Sequence, residues 1–488
     1  MSLFDLQVFA AILQILHEFG NSFQEVFRKF RHSVSVNGHS SHWTRRQVLR
    51  SLAATAGIPV LRAVDAPKRR VGIIGGGMAG VSTAWLMDGK RHVVLLEAGS
   101  KLGGNVRSIQ IQSGGSRFVV DMGAQYFHPA LYPTYLKLLG LLDLLQDIHS
   151  FTASITLEMT NEATPRFVSP MFPGRAWPLI APWNWSGLQA FAIAFAAAKR
   201  REEQNADWDV TMESWLRTLD LSRQQWEGMI LPWAASLFSG SIDRARGLSA
   251  RAAMIFAAKA LPENVTDPLL YYVLKPGMAE VLRRLIARCS TVDVVTDARV
   301  TDVRRTPQNE FIIHCGNGRT FHVDDLVFAS SGPGTLDVIK NIPGTGPQQA
   351  ALEHIEFNEA RLALHTDAVY SPNRAYWSFF NGQTDGTYCE ASMWLADVLA
   401  DAPPQAGAKL WKSWIIHRTK SPQQVLALEQ FRHMLPTPAT LRAQRDLLAL
   451  QGQGGFWFAG GYTRPYDSQE TALVSAIDVS QRLLAFSG

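Results

Sequence analysis

The run Val71-Gly-Ile-Ile-Gly-Gly-Gly-Met-Ala-Gly80 sets Gly75, Gly77 and Gly80 in a Gly-x-Gly-x-x-Gly spacing directly after a short apolar stretch. Residues of that type at that spacing hold a phosphate. Gly75 permits a tight turn, Gly77 lets the backbone approach a pyrophosphate, and Gly80 lets the following helix pack closely on the strand. Met78, Ala79 and Gly80 open that helix, where free N–H groups and the dipole favour an anion. A second apolar run, His92-Val-Val-Leu-Leu, ends in Glu97, 22 positions beyond Gly75. A carboxylate there accepts hydrogen bonds from ribose hydroxyls, which favours an unphosphorylated ribose, hence FAD or NAD and not NADP.

Past Glu97 the chain reads Ala98-Gly-Ser-Lys-Leu-Gly-Gly-Asn105, then a hairpin pattern, then Val120-Asp-Met-Gly-Ala-Gln-Tyr126. These stretches resemble the E-A-x-x-x-x-G-G-R and D-x-G-x-x-x segments of the flavin amine oxidase superfamily, which includes amine oxidases, phytoene desaturases and protoporphyrinogen oxidases. The resemblance implies FAD as cofactor, with Ala98, Gly103, Gly104, Asn105, Gly123, Ala124 and Gln125 wrapped around its diphosphate and flavin. Asn105 stands where the superfamily usually has arginine, so an amide replaces a charge contact.

Two later segments extend the likeness. Tyr271-Tyr-Val-Leu-Lys-Pro-Gly-Met278, a helix pattern and a strand pattern ending at Val300 are similar to the return of the chain to its cofactor domain, with the Val300 backbone at the adenine. Near the end, Gly455-Phe-Trp-Phe-Ala-Gly-Gly461 and Asp467-Ser-Gln-Glu-Thr-Ala-Leu-Val-Ser-Ala476 resemble the F-A-G strand and E-x-A-x-x-S-G helix. That implies Gly460, Gln469, Glu470 and Thr471 at the cofactor. A helix starting near Gln469 would direct N–H groups at the flavin pyrimidine and stabilise negative charge on the reduced ring.

The elements that must position these residues form an α/β protein: a discontinuous Rossmann-type FAD-binding domain carrying an inserted α+β substrate domain with a mainly helical cap. The expected bounds are 68–128, 274–335 and 448–488 for the FAD-binding domain, and 129–273 and 336–447 for the substrate domain. Tryptophans at 177, 183, 185, 208, 215, 226 and 233 crowd the first insert, most of them expected in its core.

Mechanism would follow from the cofactor, with a hydride passing from a substrate carbon to flavin N5 while the protein orients the reactants and excludes water. Candidates at the flavin face are Tyr462 and Tyr466, just past the F-A-G strand, and Trp377. Ala360-Arg-Leu-Ala-Leu-His-Thr-Asp367 and Pro372-Asn-Arg-Ala-Tyr-Trp-Ser-Phe-Phe-Asn381 resemble segments of a bacterial subgroup nearer the desaturase-like members. This moves the expected small-molecule substrate toward apolar compounds, lipid-derived ones among them. Many amine oxidases place a lysine beneath N5, and the corresponding strand here offers Arg361. No cysteine follows Cys389, so the late cysteine that links flavin covalently in some amine oxidases has no counterpart, and FAD is expected to bind non-covalently. Two alternatives stay open: an amine or amino-acid oxidase releasing peroxide, and a flavin-binding partner protein without catalysis.

Bulk properties narrow the classes. At 488 residues, 47% apolar and 18% charged, the chain suits a two-domain globular protein. A net charge of +5 without basic runs argues against nucleic acid as a partner. The three cysteines, Cys289, Cys315 and Cys389, lie far apart and suggest neither a metal site nor a disulfide framework. Residues 1–67 read as a leader: Thr44-Arg-Arg-Gln-Val-Leu-Arg50 and the apolar Ser51 to Leu61 resemble a twin-arginine export signal, with Val64-Asp65-Ala66 as a cleavage site. Export to the periplasm is the expectation, the cytoplasm the alternative. No stretch is long and apolar enough for a transmembrane span. Oligomeric state is not legible.

Overall fold

The structure, a computed structural model, describes residues 69–485 apart from 114–115, 170–176, 239, 263–266, 400–406 and 408. The leader with its twin-arginine pattern lies outside the described residues. The described chain divides into two compact units, one built from 69–149, 273–360 and 429–485, the other from 150–272 and 361–428.

The first unit holds a five-stranded parallel sheet in the spatial order Phe456–Phe458, Asp325–Phe328, Arg70–Ile74, His92–Leu96, Val292–Val295. Strands buried on both faces must be apolar throughout, which is why RVGII, HVVLL and DLVF read as continuous runs and not as alternation. The first strand in sequence is central, with later strands added on both sides. Its carboxyl end is therefore the switch point where open α/β sheets bind ligands. The helices Met78–Met87, Ala279–Ala287 and Gln469–Ala485 pack together in this unit. A three-stranded antiparallel sheet, Val300–Arg305, Phe311–Cys315 and Thr320–Val323, packs on the central strand at Gly72, where a Cβ would meet Ile313 at 2.8 Å and Val323 at 3.2 Å. The core between them gathers Ile74, Val94, Leu96, Val303, Ile313, Val323, Leu326 and Phe328.

The second unit is built on a seven-stranded sheet ordered Val425–Met434, Phe357–His365, Trp411–Trp414, Cys389–Trp394, Phe380–Thr384, Ile155–Met159, Phe167–Val168, whose two outermost strands on one side pass into the first unit. Helices including Trp185–Glu203 and Leu231–Leu237 complete it. Of the tryptophans of the first insert, Trp215, Trp226 and Trp233 are buried, whereas Trp183 is 37% exposed. The LHTD segment does its work inside this sheet. Asp367 pairs with His365 Nδ1 at 2.8 Å, His365 Nε2 meets the Ser413 hydroxyl at 2.8 Å, and Ser413 donates to Ser392 at 2.8 Å. The buried guanidinium of Arg418 donates to the same Ser392 hydroxyl at 3.3 Å and to Gln383 Oε1 at 2.7 Å. Among the described residues no helix is long and apolar enough to cross a membrane.

Candidate active site

The site is built at the end of the central strand. Gly75 takes φ +113°, a conformation that favours glycine, and its N–H continues the sheet to the Leu96 carbonyl at 2.8 Å. One turn later a Cβ at Gly80 would sit on the carbonyl oxygen of Gly75, so only glycine lets the helix Met78–Met87 start this close to the strand. That helix begins after Gly77 with no side-chain cap and no acid in its first turn. Its first N–H groups are therefore unmatched by any side chain, and no carboxylate competes with an anion placed there.

A second loop folds over the same helix end. Gly103 donates to the Gly76 carbonyl at 2.9 Å and bridges to Gly77, and Gly104 takes φ +58°. Asn105 then tethers a third loop, its backbone carbonyl accepting from Ala124 at 2.8 Å and occupying the place a Cβ on Gly123 would need. Two residues further on, Arg107 brings a charge to the same loop. That guanidinium donates to the Gly104 carbonyl at 3.0 Å, pairs with Glu429 and lies 5.1 Å from the Phe431 ring. It locks the loop from outside.

Glu97 closes the other side. One carboxylate oxygen accepts the Gly76 N–H at 2.8 Å and the other the Gly99 N–H at 2.7 Å, leaving each oxygen a further lone pair for a hydroxyl. Ala98 is exposed beside it, and Val300 is half-buried at the start of its strand, paired with Cys315.

The C-terminal part of the site centres on the helix Gln469–Ala485. Gly460, at φ +149°, donates to the Ser475 hydroxyl at 2.8 Å and so ties the preceding strand to that helix. Ser468 and Thr471 cap the helix reciprocally, with N–H to hydroxyl distances of 3.0 and 3.1 Å. Gln469 is buried, and its Nε2 has no hydrogen-bond partner. A buried donor without an acceptor costs about 1–3 kcal/mol, so this one marks the place of an acceptor that the protein itself does not supply. The orphaned amide, the uncapped helix end and the glycine loops together fit a dinucleotide cofactor.

The expected site residues divide. The structure brings Gly75, Gly77, Met78, Ala79, Gly80, Glu97, Gly103, Gly104, Asn105, Gly123 and Ala124 into one cradle, with Gln125 buried directly after it. Glu470 has another task, its two oxygens accepting the N–H groups of Thr134 and Tyr135 at 3.1 and 2.8 Å, at the start of the helix Pro133–Leu141. Burial pushes its carboxyl up. Tyr462 lies in the apolar core, its hydroxyl donating to the Phe328 carbonyl at 3.0 Å, and burial raises its phenol. Tyr466 is half-buried, its carbonyl accepting from Thr471 at 2.9 Å. Trp377 belongs to the other unit, in edge-on contact with Trp394 and Trp411 at 5.2 and 4.9 Å. Arg361, also there, is exposed and donates to the Ile415 carbonyl at 3.3 Å.

Sequence reasoning missed two residues. Asp121, the acid of the D-x-G stretch, accepts the Met278 N–H with both oxygens at 3.1 Å and so joins two motif segments. Its place in the motif was the available signal. Arg107 carried no such signal.

Comparison with known proteins agrees with this geometry. A family model described as flavin containing amine oxidoreductase matches residues 78–360, more than half of the chain. No curated protein matches. Among solved structures, a fatty acid isomerase from P. acnes superposes with a TM-score of 0.57 at 13% identity, covering 85% of this chain and 98% of that one. A putrescine oxidase with putrescine bound gives 0.57 at 14%, covering 86% and 98%. The cyclohexylamine oxidase of Brevibacterium oxydans gives 0.54 at 14%, with the same coverage. At such identities the likeness is one of fold. The family match covers the glycine helix, both following loops and the return to the parallel sheet, and the chain belongs to the flavin-containing amine oxidoreductase family.

Proposed function

We propose that the chain binds one FAD non-covalently and oxidises a small organic substrate by hydride transfer. The observation that carries this is the uncapped, acid-free start of the helix Met78–Met87, enclosed by Gly103 and Gly104 and flanked by Glu97. The N–H groups of Met78, Ala79 and Gly80 hold the pyrophosphate, and Glu97 accepts from the ribose hydroxyls. Val300 lies at the adenine, with Ala98, Gly123, Ala124 and Gln125 along the cofactor. Gln469 supplies its orphaned amide, and the start of the helix Gln469–Ala485, with Gly460 and Thr471, stabilises negative charge. When bound, the flavin accepts a hydride at N5 from a substrate carbon. Cys289, Cys315 and Cys389 form no disulfide, and Cys389, the last cysteine in the sequence, lies fully buried in a strand, which supports a non-covalent cofactor.

The substrate class we favour is apolar, because the segments 360–367 and 372–381 resemble those of desaturase-like members and the amine-oxidase lysine has no match in the sequence. Export in folded form by the twin-arginine route fits an enzyme that must acquire FAD before crossing the membrane. The test is anaerobic addition of amines, amino acids and unsaturated fatty acyl compounds to the purified protein. Bleaching of the flavin by fatty acyl compounds supports the favoured class, and bleaching by amines with peroxide release in air replaces it with the amine-oxidase reading. Reduction by dithionite alone supports the partner-protein reading.

A further inference from the structure

Among the described residues the most exposed large apolar side chain is Ile180, at 75%. It tips a knuckle, Trp177-Pro-Leu-Ile-Ala-Pro-Trp-Asn-Trp185, made of the short helix Trp177–Ile180 and the 3-10 turn Pro182–Asn184. The knuckle is fixed from beneath. Asn184 is fully buried, its Oδ1 accepting the Val168 N–H at 2.8 Å and its Nδ2 donating to the carbonyls of Val168 and Pro178 at 2.8 and 2.9 Å. The Trp185 indole donates to the Leu179 carbonyl at 3.0 Å. Ile180 is thus held outward on a hydrogen-bonded frame.

Three aromatic rings accompany this tip. Trp177 lies 6.1 Å from Trp183, and Tyr376, from the 3-10 turn Arg374–Tyr376 of the same unit, lies 6.0 Å from each. The indole N–H groups of Trp177 and Trp183 and the Tyr376 hydroxyl have no hydrogen-bond partner among the described residues. The sequence around the patch is free of carboxylates, with no Asp or Glu in 163–201 or 368–384, and the second of these stretches carries one charge, the exposed Arg374.

Tryptophan and tyrosine gather at membrane–water boundaries because each joins an apolar ring to a polar tip. A rigid apolar point accompanied by such rings, with a cation and no carboxylate beside it, matches that boundary in shape and charge. We propose that the knuckle docks this protein on an anionic lipid bilayer. Ile180 enters the acyl region, Trp177, Trp183 and Tyr376 lie at the level of the headgroups with their N–H and O–H groups toward lipid phosphates and carbonyls, and Arg374 faces the headgroup charge. A protein partner would have to place acceptors at three fixed points, whereas headgroups supply them wherever the rings lie. The inference stands apart from the cofactor reading and suits the apolar substrate class favoured above.

The test is flotation of the full-length protein with vesicles of phosphatidylcholine and phosphatidylglycerol, for the wild type, Ile180→Asp, Arg374→Gln and Leu426→Asp. Leu426, 47% exposed on the strand Val425–Met434, is the control for exposed apolar surface as such. The wild type and Leu426→Asp are expected to bind alike, Ile180→Asp to bind at least about tenfold more weakly, and Arg374→Gln about fivefold more weakly. Brominated acyl chains are expected to quench tryptophan fluorescence in the wild type, and less so in Trp183→Ala. Thermal unfolding checks that the variants remain folded, as substitutions at exposed positions should. A wild type that does not float, or equal binding by Ile180→Asp, overturns the proposal; binding carried by residues 1–67 gives the second result, because Ile180→Asp leaves them intact. Equal loss in Leu426→Asp, or unchanged binding by Arg374→Gln, overturns it as well. So does a dimer in gel filtration that Ile180→Asp splits in a protein that ignores vesicles, which would assign the patch to a second copy of the chain.

Discussion

The carboxylate of Glu97 accepts the backbone N–H of Gly76 at 2.8 Å, so the acid that ends the second strand also fixes the loop that ends the first. Ribose recognition and the geometry of the phosphate loop thus depend on one side chain. Hydrogen bonds to a charged acceptor are worth about 1.5–3 kcal/mol each. Glu97→Gln, with one acceptor oxygen for two N–H groups, is expected to weaken FAD binding by roughly 10- to 100-fold. Fluorescence titration of the apoprotein measures it; wild-type affinity would refute the role.

Gly80 faces the carbonyl oxygen of Gly75 with no room for a methyl group, and backbone cannot move as a side chain can. Gly80→Ala is expected to cost more than about 3 kcal/mol and to abolish flavin uptake. Gly89, at φ +76° with nothing within 4 Å, is the control. Gly89→Ala is expected to cost only about 1 kcal/mol and to retain the cofactor. Thermal unfolding and flavin absorbance report both.

Glu470 holds the start of the helix Pro133–Leu141 through two backbone N–H groups. Glu470→Ala leaves both buried and unmet, at about 1–3 kcal/mol each, whereas Glu470→Gln keeps one acceptor and costs roughly half as much. Burial raises the Glu470 carboxyl, so its favourable linkage is present at low pH and is lost as pH rises through the folded-state value. The penalty of Glu470→Gln relative to the wild type should therefore shrink with rising pH, as denaturant titrations would show.

Burial lowers the imidazole of His128 to about 4, and it does the same for His433. Both are neutral in the folded protein at pH 6.5, and acid favours the unfolded chain, where they bind protons more readily. Stability is therefore complete above about pH 6.5 and falls as pH drops toward 4, with His128 contributing about 3 kcal/mol. His128→Asn, which keeps an acceptor for the Ala130 N–H, should flatten this slope in calorimetry.

The parts of the site that were legible in the sequence are those encoded locally. Gly75, Gly77 and Gly80 act within one turn of chain, the helix they open starts at Met78, and Glu97 ends an apolar run whose composition announces a buried parallel strand. The last helix starts at Gln469, where its polar opening suggested. What stayed hidden depends on distant partners. Glu470 reaches Thr134 across 336 residues and Asp121 reaches Met278 across 157. Tyr462 follows a motif strand, but its hydroxyl is drawn to Phe328 by the packing of two neighbouring strands.

The central claim is that this chain binds FAD in the cradle between Gly75 and Gly104. Purified protein reconstituted with FAD should show flavin bands near about 370 and about 450 nm. It should retain about one flavin per chain through gel filtration and release it intact on acid precipitation, while Gly80→Ala stays colourless. A wild-type protein that remains colourless after reconstitution, or a Gly80→Ala variant that binds FAD equally well, would contradict the account.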